Sequence, residues 1–122
     1  MQALVIDDSR AMRMVLARML SNLGFDVDQA ADGRLGLDHL ETGATPDVIM
    51  VDWHMPEMEG IEFVAMARSS EYAYPGRIIM VTTETESAQV ARALELGADE
   101  YLMKPFTEDA IADKLALLGL DP

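Results

Sequence analysis

Five short strand-like segments, four of them apolar runs, alternate with five segments of helical periodicity, and this alternation constrains the fold more than any other feature. Residues 3–6 are uniformly apolar and stop at Asp7-Asp8. A run of that kind suits a strand buried on both faces. Met12, Val15, Leu16, Met19, Leu20 and Leu23 then recur at helical spacing, with Ser9 placed to cap the helix and Gly24 to close it. Residues 25–30 read as a second strand. Gly36, Leu37 and Leu40 mark a short helix that ends before the turn residues Gly43 and Pro46.

The second half repeats the scheme. Residues 48–51 form a strand that ends on Asp52, and Ile61, Val64, Ala65 and Arg68 suit a helix with one buried side. Residues 69–76 are a polar loop. Residues 78–81 form a strand ending at Thr82-Thr83, and Val90, Ala93 and Leu94 lie on a helix closed by Gly97. Residues 101–103 are a short strand ending at Lys104-Pro105, and Ile111, Leu115 and Leu118 carry the last helix. Crossover helices join parallel strands with one hand. The expected fold is therefore α/β: a five-stranded parallel sheet with five helices on both faces, a flavodoxin-like (βα)5 three-layer sandwich. One domain over residues 1–122, with no output domain after the last helix, is expected.

Composition narrows the function. There are no cysteines, so a disulfide scaffold and a thiolate zinc site are excluded. The formal net charge is −13, from 22 acids against nine bases, which repels nucleic acid and anionic membranes. No stretch approaches the ~20 apolar residues of a membrane span, and the N-terminus lacks the basic start of a signal peptide. A cytoplasmic protein is expected. The ten methionines read as core filler and Trp53 as a rim residue.

Ligands of open α/β sheets bind beyond the carboxyl ends of the strands. Listing this chain's strand ends brings together Asp7, Asp8, Asp52, Thr82, Thr83 and Lys104. Asp7-Asp8 alone reads equally well as a helix-capping pair, and Lys104 alone as a surface lysine. Together they read differently. Three carboxylates in one cleft call for a cation, and an all-oxygen donor set selects a hard one, Mg²⁺ or Mn²⁺. Mg²⁺ takes one or two carboxylates and keeps room for a phosphoryl oxygen. Lys104 supplies a point charge for such an oxygen, and the Thr82 hydroxyl a hydrogen bond. His54 stands two residues beyond Asp52 and offers a backbone carbonyl.

These segments carry a family resemblance: LVIDD at 4–8, VDWHMPEMEG at 51–60, MVTTETE at 80–86 and ADEYLMKPF at 98–106. In this order, over the whole chain, they resemble a response-regulator receiver domain of the stand-alone, CheY-like kind. The resemblance implies that Asp52 is the phosphoacceptor and that Asp7, Asp8 and the His54 carbonyl hold the metal. It implies that Thr82 reports phosphorylation, that Thr83 offers a backbone N–H to the phosphoryl group, and that Lys104 binds it. It further implies a cis Lys104–Pro105 bond and a switch at Tyr101. The donor would be a phosphohistidine on a histidine kinase or phosphotransfer domain. The output would be a monomer's surface on the fourth helix, fifth strand and fifth helix, including Gln89, Arg92 and Lys114, read by a target protein, with chemotaxis as the setting. Such a chain is no enzyme beyond its own phosphorylation and dephosphorylation. Glu84, Glu86 and Ser87 are less basic than the flagellar-motor-binding members, which argues against a motor target.

Other readings compete. A dehalogenase-type phosphatase shares a strand-end Asp, Mg²⁺ and Lys, but usually has an acid where this chain has His54. A flavodoxin-like cofactor site would place phosphate against Asp7-Asp8, which repel it. No GxxxxGK[ST] loop is present, so a P-loop nucleotidase is excluded. The complete site argues against a receiver that signals by dimerising or binding without phosphorylation, and a phosphorelay intermediate or sink is a further alternative.

Overall fold

The computed structural model describes residues 1–83 and 87–122, with only the backbone of Ser87. The reading of Glu84, Glu86 and the Ser87 side chain therefore falls outside the described residues. The elements follow in strict alternation: β1 (Gln2–Ile6), α1 (Arg10–Asn22), β2 (Asp26–Ala30), α2 (Gly33–Glu41), β3 (Val48–Asp52), α3 (Gly60–Arg68), β4 (Arg77–Thr82), α4 (Ser87–Leu96), β5 (Glu100–Met103) and α5 (Glu108–Leu117). All strand pairings are parallel, in the order β2-β1-β3-β4-β5.

The apolar runs explain the layers. Alternate side chains of a strand face opposite sides of a sheet. Leu4, Ile6, Ile49, Val51, Ile78 and Met80 point to one side, where they pack with Leu37 of α2, Phe63, Val64 and Ala67 of α3, and Ala93 of α4. Ala3, Val5, Val48, Met50, Ile79 and Val81 point to the other, against Leu16 and Leu20 of α1 and Ile111 and Leu115 of α5. β1, β3 and β4 are thus apolar on both faces because helices cover both. Among the described residues no helix is long and apolar enough to cross a membrane.

Local signals match the element ends. The Ser9 hydroxyl accepts the Met12 N–H at 3.3 Å and caps α1, and Gly24 reverses the chain beyond it at φ 101°. Asp32 caps α2 by accepting the Leu35 N–H at 2.8 Å, a cap the periodicity reading leaves unnoticed. Three assignments need correction. Val15 and Leu94 are exposed, because Ala17 and Ala93 take the inward positions nearby. The buried side of α3 is Gly60, Phe63, Val64 and Ala67, with Ala65 facing solvent. The methionines divide: Met50, Met55 and Met80 are core, while Met14, Met66 and Met103 are exposed.

Candidate functional site

The strand order reverses at β1, so the chain leaves β1 and β3 in opposite directions and opens a crevice at their carboxyl ends. Asp7 and Asp8 leave β1 on one side of it, and Asp52 is the last residue of β3 on the other. One carboxylate oxygen from each of Asp7, Asp8 and Asp52 lies within 4.8 Å of the other two. Asp7 and Asp52 are buried and Asp8 is exposed. Asp7 Oδ1 accepts the Ser9 N–H at 2.8 Å, whereas its Oδ2 is buried with no hydrogen-bond partner.

A buried carboxylate oxygen left unpaired is costly. Burial is the chief reason the Asp7 carboxyl lies above its ordinary pKa of 3.8. The Ser9 N–H opposes that rise, Asp52 adds to it, Lys104 opposes it, and Asp8 adds the remainder. Three carboxylates face the single ammonium of Lys104, and one divalent cation would balance the excess. The side chains of the cluster offer only oxygen donors, and Asp7 Oδ2 is already desolvated without a partner. The residues present fit a hard divalent ion.

Lys104 reaches the cluster from the far side. β5 pairs with β4 through Thr82 and Met103, and the Lys104 N–H donates to the Thr82 carbonyl at 2.8 Å. This fixes the start of the lysine side chain, whose Nζ donates to Asp52 Oδ1 at 3.0 Å. The Lys104–Pro105 peptide is cis. Thr82 is buried at the end of β4, Thr83 follows it exposed, and Tyr101 is half-buried on β5. The His54 side chain turns to solvent and pairs with Glu59 at 3.4 Å.

Several residues that shape the site were not singled out from the sequence. Gly60 opens α3 directly against Asp52, where any Cβ would overlap the Asp52 carbonyl oxygen. Its N–H donates to the Trp53 carbonyl at 2.8 Å and closes the loop after the acceptor strand. Arg13 donates to the Asp7 carbonyl at 2.8 Å. Trp53 is a correction: its indole is buried in the α2–α3 side of the core, not on the rim, because strand alternation turns it inward beyond Asp52.

Comparisons with known proteins bear on the family and the fold. The family model described as "Response regulator receiver domain" matches residues 3–116. The chain is 40% identical over 119 residues to Chemotaxis protein CheY1 of Helicobacter pylori, covering 97% of this chain and 96% of that protein. It is 34% identical to Chemotaxis protein CheY-3 of Vibrio cholerae, covering 94% and 88%. The solved structure of chemotaxis protein CheY4 of Vibrio cholerae superposes with a TM-score of 0.87 at 34% identity, over 95% of this chain and 96% of that one.

Proposed function

The chain belongs to the response regulator receiver family of two-component signalling, and on that premise we propose that Asp52 is its phosphoacceptor and Lys104 its phosphoryl-binding cation. The observation that carries this reading is the single crevice in which three carboxylates converge while Lys104 Nζ stands 3.0 Å from Asp52 Oδ1. Family membership sets aside the dehalogenase-type phosphatase and the cofactor binder. The likeness to chemotaxis proteins supports chemotaxis as the setting of the signal.

Asp7, Asp8 and Asp52, with the His54 carbonyl, would hold Mg²⁺, which supplies positive charge beside the transferring phosphoryl oxygens. The protein's own residues do the rest. An Asp52 carboxylate oxygen attacks the phosphorus of a kinase phosphohistidine. The new O–P bond forms as the P–N bond breaks, and the departing imidazole takes up a proton. A carboxylate is a weak nucleophile, so positioning and charge neutralisation carry the step. β3 holds Asp52 rigidly, and Lys104 offsets charge on the phosphoryl oxygens as they arrive. The Thr82 hydroxyl and the Thr83 N–H offer hydrogen bonds on the β4 side. Water later attacks the acyl phosphate, releases inorganic phosphate and restores the carboxylate.

Hydrogen bonding of Thr82 to the phosphoryl group draws it inward, and Tyr101 follows from its half-buried position. The face of α4, β5 and α5, with Gln89, Arg92 and Lys114, thereby changes for a downstream target. Small-molecule labelling tests the acceptor. Acetyl phosphate with Mg²⁺ should label the protein once, and Asp52→Asn, still folded, should not label. Stoichiometric labelling of Asp52→Asn would reject the assignment.

A further inference from the structure

β5 is an outer strand, and its two faces belong to different layers. Leu102 packs in the α1–α5 layer, and Tyr101 packs on the opposite one. α5 lies with Leu102, through Ile111 and Leu115. Lys114 of α5 nevertheless reaches around the strand edge. Its Nζ stands 4.6 Å from the centre of the Tyr101 ring and 3.1 Å from Glu100 Oε1. The same Oε1 accepts the Tyr101 N–H at 3.0 Å. One carboxylate oxygen therefore anchors both the backbone of Tyr101 and the ammonium that covers its ring.

We propose that Glu100 and Lys114 form a staple across the edge of β5 that holds the Tyr101 ring in its half-buried position and so sets how easily modification at Asp52 moves it. The proposal rests on the reading of Asp52 as acceptor and Tyr101 as switch. An isolated ion pair at a surface contributes little. Here the ammonium is fixed between a carboxylate and an aromatic face, and both charged side chains are largely covered, at 27% and 22% exposure. A cation over an aromatic face is attracted to it, more strongly when partly desolvated. Movement of the ring towards Thr82 withdraws it from the ammonium. The staple thus favours the resting position, and by linkage it weakens the affinity of Asp52 for a phosphoryl mimic by the same factor. From the usual strength of such contacts that factor is about three- to tenfold.

The full chain labelled with 3-fluorotyrosine gives the test. It has three tyrosines, and Tyr101→Phe assigns the relevant fluorine resonance. Beryllofluoride with Mg²⁺ is the phosphoryl mimic. In the unliganded protein, Lys114→Gln should move the Tyr101 resonance towards its beryllofluoride-bound position, and beryllofluoride should bind about three- to tenfold more tightly. Lys114→Arg should restore both properties, and Glu100→Gln should shift both in the direction of Lys114→Gln but less far. A wild-type resonance that responds to beryllofluoride, with Lys114→Gln unchanged in resonance and affinity, overturns the staple alone. A wild-type resonance that ignores beryllofluoride overturns the Tyr101 switch, and the staple falls with it.

Discussion

Asp7→Asn should stabilise the metal-free protein, because the crevice holds more negative charge than it can satisfy. Oxygens of Asp7 and Asp52 lie no more than 4.8 Å apart. At an effective dielectric of about 20, two unit charges at that separation repel by about 3.5 kcal/mol. Lys104 also attracts the Asp7 carboxylate, though less than Asp52 repels it, which leaves a gain of about 2 kcal/mol on removing the Asp7 charge. The amide oxygen introduced by the substitution can still accept the Ser9 N–H, so the capping turn survives. For a chain of this size the gain corresponds to about 6–10 °C in Tm. Calorimetry in chelator-treated buffer measures it. Mg²⁺ at about ten times its Kd should raise the wild-type Tm by about 5 °C, equivalent to about 1.4 kcal/mol, and leave Asp7→Asn nearly unmoved. The pH dependence follows from the raised Asp7 pKa. A carboxyl raised by folding contributes stability below its unfolded value and loses it as pH climbs through the folded one. Metal-free wild type should therefore lose stability as pH rises from about 4, and Asp7→Asn should flatten that slope. A Tm for Asp7→Asn equal to or below wild type in metal-free buffer would refute the charge argument.

Other consequences can be measured directly. Arg68 donates to the carbonyls of Gly97, Tyr74 and Gly76 and pairs with Asp99 at 2.8 Å, so Arg68→Ala should cost about 3 kcal/mol in urea unfolding while Asp52 labelling persists. Thr107 caps α5 by accepting the Ala110 N–H at 3.1 Å, and Thr107→Ala should cost about 1 kcal/mol in the same assay. Trp53 is buried beside Asp52, so Mg²⁺ should alter its fluorescence in wild type and not in Asp8→Ala; an equal response in both would remove Asp8 from the metal set.

The sheet and its site were legible because both depend on local pattern. An apolar run that ends on an acid marks a strand and what stands at its tip, and Asp7 and Asp52 follow from that, as Lys104 does from the end of β5. Interactions between distant segments were not legible. Arg68 meets Asp99 only because α3 and the turn before β5 are neighbours through β4, and no local period announces the pair. Lys114 over Tyr101 likewise needs a side chain to round the sheet edge, against the rule that α5 serves the other layer. Phe63, Ala67 and Trp53 were misplaced or passed over because phase, not period, decides which side of a helix or strand is inward.

The central claim is that phosphoryl transfer ends on Asp52. Reduction with borohydride converts an aspartyl phosphate into homoserine, and peptide mass spectrometry then locates it. After treatment with acetyl phosphate and Mg²⁺, homoserine should appear at position 52 and should be absent when Mg²⁺ is chelated. Homoserine at another position, or a phosphoryl group on a hydroxyl or imidazole with Asp52 unmodified, would contradict the account.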